Sequence, residues 1–134
     1  MSRILIIDDD KSILSFLKER LMYEGFNVLT AINGKEGMKL FNENRVDLVI
    51  TDIIMPDKDG FETIIELKRI CPDIKIIALS GMGLGMIEPC LKTAKFTGAE
   101  YALAKPFEIS NLLTAVHELL KKEKTSQCFN NSAI

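Results

Sequence analysis

Two short runs of apolar and β-branched residues each end in carboxylates, and that pattern constrains the fold more than anything else in the chain. Ile4-Leu5-Ile6-Ile7 runs straight into Asp8-Asp9-Asp10, and Leu48-Val49-Ile50-Thr51 runs into Asp52. Runs of this length and branching read as strands covered on both faces. Such strands deliver their terminal acids to one edge of a sheet, where like charges repel and loss of water sharpens the repulsion. A divalent cation relieves the conflict. Mg²⁺ suits the position, because it favours a few carboxylates together with retained waters and a phosphate.

The rest of the chain alternates in the same way. Strands are expected over residues 3–7, 27–31, 47–51, 74–79 and 101–104. Between them, Ile13, Phe16, Leu17, Arg20, Leu21 and Glu24 trace a helix of 3.6 period, and Met38, Leu40 and Phe41 mark a second. Ile64, Ile65, Leu67 and Ile70 mark a third, stopped by Pro72. Leu91, Ala94 and Phe96 suggest another, opening near Glu88-Pro89. Ser110 is the expected N-cap of the last helix, which carries Leu112, Leu113, Val116, Leu119 and Leu120. Five strand–helix units in succession imply an α/β fold, a doubly wound parallel sheet with helices on both faces. In such sheets the site lies at the carboxyl ends of the strands, beside the switch in strand order. Asp8, Asp9, Asp52, Ser80 and Lys105 all fall there, arriving from four strands.

The 134 residues fit one domain, expected over 1–122 and followed by a polar, aperiodic tail over 123–134. With 47% hydrophobic and 27% charged residues and a net charge of −2, the composition is that of a soluble globular protein. The absence of a basic cluster argues against a nucleic-acid surface. No apolar run approaches the roughly 20 residues that span a bilayer, so no membrane association is expected. The first strand starts so early that no signal peptide is expected. Cys71, Cys90 and Cys128 are odd in number and lack CxxC spacing. They read as free thiols in a reducing compartment, and a cytoplasmic location follows.

The acids have a structural explanation in helix capping, since carboxylates complement the positive end of a helix. Capping accounts for one of them, Asp10, but not for a further acid at the end of a different strand. Lys105 is the complement: Pro106 restricts the backbone before it, and its ammonium can neutralise a phosphoryl group at the acidic edge. Ser80 offers a hydroxyl at that edge. Asp52 is a candidate ligand, general base or nucleophile, ionised at neutral pH between a metal and an ammonium. A carboxylate that attacks phosphorus gives an acyl phosphate, and the metal and Lys105 would stabilise charge on the phosphoryl oxygens.

The acid pair Asp8-Asp9, Asp52, Met55-Pro56 with Asp59-Gly60, Ser80-Gly81, Gly98-Ala99, Tyr101 and Lys105-Pro106-Phe107 stand in a telling order. Together they resemble the receiver domain of two-component response regulators, over essentially residues 1–122. The resemblance implies a flavodoxin-like (βα)5 fold with strand order 2-1-3-4-5. It implies that a partner histidine kinase, or a histidine phosphotransfer protein, supplies a phosphohistidine from which Asp52 accepts the phosphoryl group. Mg²⁺, with Mn²⁺ as an alternative, would be held by Asp8, Asp9, Asp52 and the backbone carbonyl of Ile54, while Lys105 and Ser80 grip the phosphoryl oxygens. Ser80 and Tyr101 would be the switch. Movement of Ser80 opens space for Tyr101 and changes the surface formed by the helix expected near residues 88–96, the fifth strand and the last helix. An output protein, or a second phosphorylated copy, would dock there. The domain is then a self-phosphorylating acceptor, not a turnover enzyme on a separate substrate. It is expected to act alone or as part of a larger regulator or hybrid kinase.

Two departures from the family stand out. Gly81-Met82-Gly83-Leu84-Gly85-Met86 is long and glycine-rich, which predicts a mobile loop; no GxxxxGK[ST] follows to make it a phosphate loop. Ile54 and Met82 stand where the family flanks the phosphoryl group, and neither orients an attacking water, so slow autodephosphorylation is expected. Rival readings fare worse. A calcium loop ending at Glu66 would need an acid at Met55. A haloacid-dehalogenase-like Mg²⁺ phosphatase with an aspartyl nucleophile, the main alternative, would need a second acid at Ile54. A flavin binder would need hydroxyls where Asp8-Asp9-Asp10 stands. His117, the only histidine, reads as a partly exposed helix residue away from the acids.

Overall fold

Strand and helix alternate along the computed structural model, which describes residues 2–53, 60–80 and 98–121. The described elements are β1 (Arg3–Ile7), α1 (Lys11–Tyr23), β2 (Asn27–Ala31), α2 (Gly34–Glu43), β3 (Leu48–Asp52), α3 (Gly60–Ile70), β4 (Lys75–Ser80), β5 (Tyr101–Ala104) and α4 (Ile109–Lys121). The five strands pair in parallel in the order β2-β1-β3-β4-β5. This is the doubly wound order that the resemblance implied. The helix expected near residues 88–96, the glycine-rich loop and the C-terminal tail lie outside the described residues.

The period-2 alternation of buried strands divides the core into two layers. Leu5 and Ile7 join Val49, Ile76 and Ala78 under Met38 and Phe41 of α2 and Ile64 and Leu67 of α3. Ile4 and Ile6 join Ile50, Ile77 and Leu79 under α1 and α4, which contribute Leu17, Leu21, Leu112 and Val116. Every residue of β3 is buried, because helices cover both sides of it. Each large aliphatic side chain so buried contributes about 1.5–3 kcal/mol.

Local signals set the helix ends. Asp10 caps α1 by accepting from the backbone N–H of Ser12 at 2.9 Å. At the other end Gly25 takes φ +99, Gly25 N–H donates to Met22 O, and Phe26 N–H donates to Leu21 O. That is a Schellman closure, which favours glycine because other residues are strained there. At the start of α2 the Asn33 side chain accepts from the Glu36 N–H at 2.7 Å, and the Glu36 carboxylate reaches back to accept from the Ile32 N–H at 2.8 Å, a close relative of the capping box. Within α2, Gly37 lies so close to β1 that an added Cβ would collide with Ile7 Cδ1 and meet Cγ1 at 2.8 Å. Ile7 is fully buried and has nowhere to go. Gly37→Ala is therefore expected to destabilise the fold by about 1–3 kcal/mol despite alanine's better helix propensity, read as a lower urea midpoint at unchanged slope.

Three expectations are corrected. β3 and β4 each run one residue later than expected, because Asp52 stays in register opposite Leu79 and Ser80 opposite Ala104. Ser110 is not the N-cap of the last helix. The helix opens at Ile109, and the Glu108 carbonyl accepts from the N–H groups of Asn111 and Leu112, which makes Glu108 the capping position. Cys71 is disulfide-bonded and not a free thiol. An odd count leaves a thiol over but permits one bond; its partner is not among the described residues.

Candidate functional site

Backbone hydrogen bonds carry the sheet one residue past the strands and fix its carboxyl edge. Asp8 N–H donates to Ala31 O at 3.0 Å, Ile53 N–H to Leu79 O at 2.9 Å, and Lys105 N–H to Ser80 O at 2.7 Å. Residues 8, 52, 80 and 105 are thus held on one rim by the ladder itself. Their side chains inherit that rigidity.

On this rim Lys105 Nζ donates to Asp8 Oδ2 at 2.7 Å and to Asp52 Oδ2 at 3.3 Å. Asp8 is fully buried and Asp52 nearly so, at 0% and 4% exposure. Asp8 also accepts from the N–H of Asp10 through Oδ1 at 2.9 Å, so both of its oxygens are engaged. Asp9 is exposed beside them, and carboxylate oxygens of Asp8, Asp9 and Asp52 lie within 4.8 Å of one another. Burial by itself would lower the Lys105 pKa. The hydrogen bond to Asp8 and the charges of Asp52 and Asp8 outweigh it and hold the pKa above the ordinary lysine value. The ammonium is therefore charged at neutral pH, a cation held between two carboxylates with that of Asp9 close to them.

The donor set consists of hard oxygen ligands on rigid strand ends, which fits Mg²⁺ and equally Mn²⁺. Ser80 is fully buried at the end of β4. Tyr101 lies three residues farther down the sheet, opposite Ile77, about 10 Å along the strand from Ser80's level. Its ring packs with the layer under α1 and α4, and its hydroxyl donates to Glu118 on α4. Ile54 and Met82, and with them the backbone-carbonyl ligand and the residues expected to flank the phosphoryl group, lie outside the described residues. His117 sits at the far end of the sheet, with Nε2 3.5 Å from Glu24 and its ring 5.6 Å from Phe26. It is remote from Asp8, Asp9 and Asp52, at the other end of the strands.

Two features carry no local signal in the chain. Glu118 is seventeen residues from Tyr101 and becomes its partner only when α4 packs beside β5. Lys68 of α3 donates to Ile74 O at 2.6 Å and to Glu100 at 2.9 Å, while Glu100 accepts from Ile76 N–H at 2.8 Å. This second network pins the entry to β5 at the end of the sheet opposite the acids.

A profile described as "Response regulator receiver domain" matches residues 4–117. Among curated proteins, the chain is 35% identical over 127 residues to the transcriptional regulatory protein CpxR of Klebsiella pneumoniae, a match covering 95% of this chain and 53% of that protein. Among solved structures, a response regulator receiver domain protein from Clostridium thermocellum aligns with a TM-score of 0.83 at 35% identity, covering 90% of this chain and 95% of that one. The response regulator protein TrrA from Thermotoga maritima, in complex with Mg²⁺-BeF, aligns with a TM-score of 0.78 at 36% identity over 89% of this chain and 99% of that one. The chain spans about half the length of several curated relatives it matches, and about a quarter of others.

Proposed function

This chain belongs to the response regulator receiver domain family, and from that premise we propose that it takes a phosphoryl group onto Asp52 from the phosphohistidine of a partner kinase or phosphotransfer protein. The observation that carries the reading is the contact of one partly buried ammonium, Lys105, with both Asp8 and Asp52 at the carboxyl edge of the sheet. A rim of this kind has little use for stability, since a well-packed apolar group would serve as well. It has a clear use in phosphoryl transfer, where catalysis is mostly positioning and neutralisation of charge.

In the transfer, an Asp52 carboxylate oxygen forms the new O–P bond while the P–N bond of the donor breaks, and that bond's electron pair stays on the imidazole nitrogen. Lys105 turns from the carboxylates to a phosphoryl oxygen, and the Ser80 hydroxyl meets another. Mg²⁺, held by Asp8, Asp9, Asp52 and the Ile54 carbonyl, would supply charge neutralisation and register for the incoming phosphate. The complex of TrrA with Mg²⁺-BeF supports that choice of ion. Occupation of the rim then biases Ser80 toward a second arrangement and presents a changed surface along β5 and α4; Tyr101, on the opposite face of the sheet from Ser80, would feel that change only through the β5 backbone. An output partner or a second phosphorylated copy would read that surface. The similarity to transcriptional regulators supports an output in gene control.

The test is incubation with a small acyl phosphate and Mg²⁺ followed by intact mass. The protein is expected to gain a single phosphoryl group, and chelation of the metal to abolish the gain. Continuous hydrolysis of a generic phosphate ester without self-labelling would reject this reading in favour of the aspartyl phosphatase.

A further inference from the structure

β5 is an edge strand, paired on one side only and half-buried throughout. Tyr101 and Leu103 face the layer under α1 and α4, and Ala102 faces the other. A slip of two residues along β4 would keep every side chain on its own face, so alternation alone does not fix where β5 stops. Such a slip would carry Lys105 about 7 Å along the strand. Its ammonium reaches Asp8 and Asp52 at 2.7 and 3.3 Å, which leaves no such latitude.

Register is marked instead where the strand enters. Glu100 N–H donates to Ile76 O at 2.9 Å, and Glu100 Oε1 accepts from Ile76 N–H at 2.8 Å. Both backbone polar groups of one β4 residue are thus met by one residue of the incoming chain. The other carboxylate oxygen accepts from Lys68 Nζ at 2.9 Å, and Lys68 also donates to Ile74 O at 2.6 Å. Lys68 is carried by α3, whose Ile64 and Leu67 are fully buried in the core. A slip of β5 would break these charge-assisted bonds and strand a partly buried ion pair. From there the pairing with β4 runs in register to Ser80, whose carbonyl accepts from Lys105 N–H at 2.7 Å.

We propose that Glu100, braced by Lys68, sets the register of β5 and thereby holds the Lys105 ammonium against the acids for phosphoryl transfer. This role rests on the phosphotransfer reading above. Glu100 is a positioning residue: it lies at the opposite end of the sheet from the acids and acts only through the strand that carries Lys105.

The experiment uses the full chain. In Glu100→Ala the Ile76 amide loses its acceptor and is expected to exchange with solvent deuterium roughly tenfold faster, with the Lys105 amide following it. Labelling by an acyl phosphate at saturating Mg²⁺ is expected to slow roughly fivefold. Mg²⁺ affinity, read by calorimetry, should not fall, because the acids stand at the ends of β1 and β3. Glu100→Gln keeps an oxygen to accept from Ile76 N–H and should recover most of the rate. Lys68→Met keeps the bond from Ile76 to Glu100 and should lie between Glu100→Ala and wild type. In a Lys105→Met background, Glu100→Ala should slow labelling no further, since the ammonium it positions is gone.

Unchanged exchange of the Ile76 amide in Glu100→Ala overturns the contact. An unchanged labelling rate, an equal loss in the Lys105→Met background, or a matching loss of Mg²⁺ affinity overturns the positioning role while the phosphotransfer reading stands. A wild-type protein that does not label at all sinks that reading, and the role of Glu100 falls with it.

Discussion

Asp52→Asn is expected to abolish labelling by an acyl phosphate and, in metal-free buffer, to make the protein more stable. The amide has the shape of the carboxyl group but no anionic oxygen to form the O–P bond, so the mass of the phosphorylated species should be absent. The stability gain follows from the crowding on the rim, where oxygens of three carboxyl groups lie within 4.8 Å of one another beside the Lys105 ammonium. Removing one acid leaves Lys105 its shorter contact, the 2.7 Å bond to Asp8, and gives up the longer one at 3.3 Å. Relief of like-charge repulsion near a low-dielectric edge is worth about 1 kcal/mol. Saturating Mg²⁺ should reverse the order: a ligand at a hundred times its dissociation constant stabilises by about 2.7 kcal/mol, and the variant lacks one of the donors. Urea melts with chelator and with Mg²⁺ measure both signs. A labelled variant would show that the acceptor lies elsewhere.

The same repulsion makes the site legible in the order of residues alone. Apolar runs that end in acids, at Ile7 and at Thr51, demand a sheet that brings those ends together, and the register does so with Ile7 opposite Thr51. β1, β2 and β5 fall where the apolar pattern places them, because buried parallel strands tolerate little else. Boundaries slip where pattern and pairing part company. Asp52 reads as the residue after a strand, yet its backbone remains in the ladder opposite Leu79. Ser110 has good capping chemistry, but the preceding turn already offers the Glu108 carbonyl to Asn111 and Leu112. Gly37 gives no local hint of its role. Only the approach of α2 to Ile7 makes a hydrogen the largest tolerable side chain.

Within the site, charge is easier to read than hydrogen bonding. Asp8, Asp9, Asp52 and Lys105 carry formal charges whose juxtaposition follows from topology alone. The distinction between Asp8 and Asp9 does not. Asp8 is the buried one, bridging Lys105 and the Asp10 N–H, while Asp9 stays exposed. Alternation along the chain separates them but does not say which of the two points inward beyond the last ladder bond. Glu118 is hidden for a different reason. Its partner is set by how α4 is rotated on the sheet, which depends on Leu112, Ala115, Val116 and Leu119 seating in the core and not on Glu118 itself.

Lys105→Met tests the other half of the rim. Methionine replaces the stem with an unbranched apolar chain of similar reach, so packing is largely kept and the charge is lost. Asp8 is then buried without a counter-charge. Removing one partner of a buried pair typically destabilises by about 3 kcal/mol or somewhat more, and the lower end applies because Lys105 keeps 17% of its side-chain exposure. Labelling by an acyl phosphate should fall by roughly 10²-fold or more, the effect of removing one preorganised group that meets developing charge. The pH dependence has a definite sign. Burial pulls the Lys105 pKa down, but the hydrogen bond to Asp8 and the charges of Asp52 and Asp8 raise it above 10.5. A group whose folded pKa is raised gives its full contribution below its unfolded value and loses it as pH climbs through the folded one. The wild-type advantage over Lys105→Met should therefore be flat through neutral pH and shrink only in strongly alkaline buffer. Mg²⁺ should restore much of the variant's lost stability without restoring its labelling rate, since the ion supplies charge to the acids but not the ammonium that follows the phosphoryl group. Equal stability of the two proteins in chelator at neutral pH would mean that Lys105 is not what lets these acids share an edge.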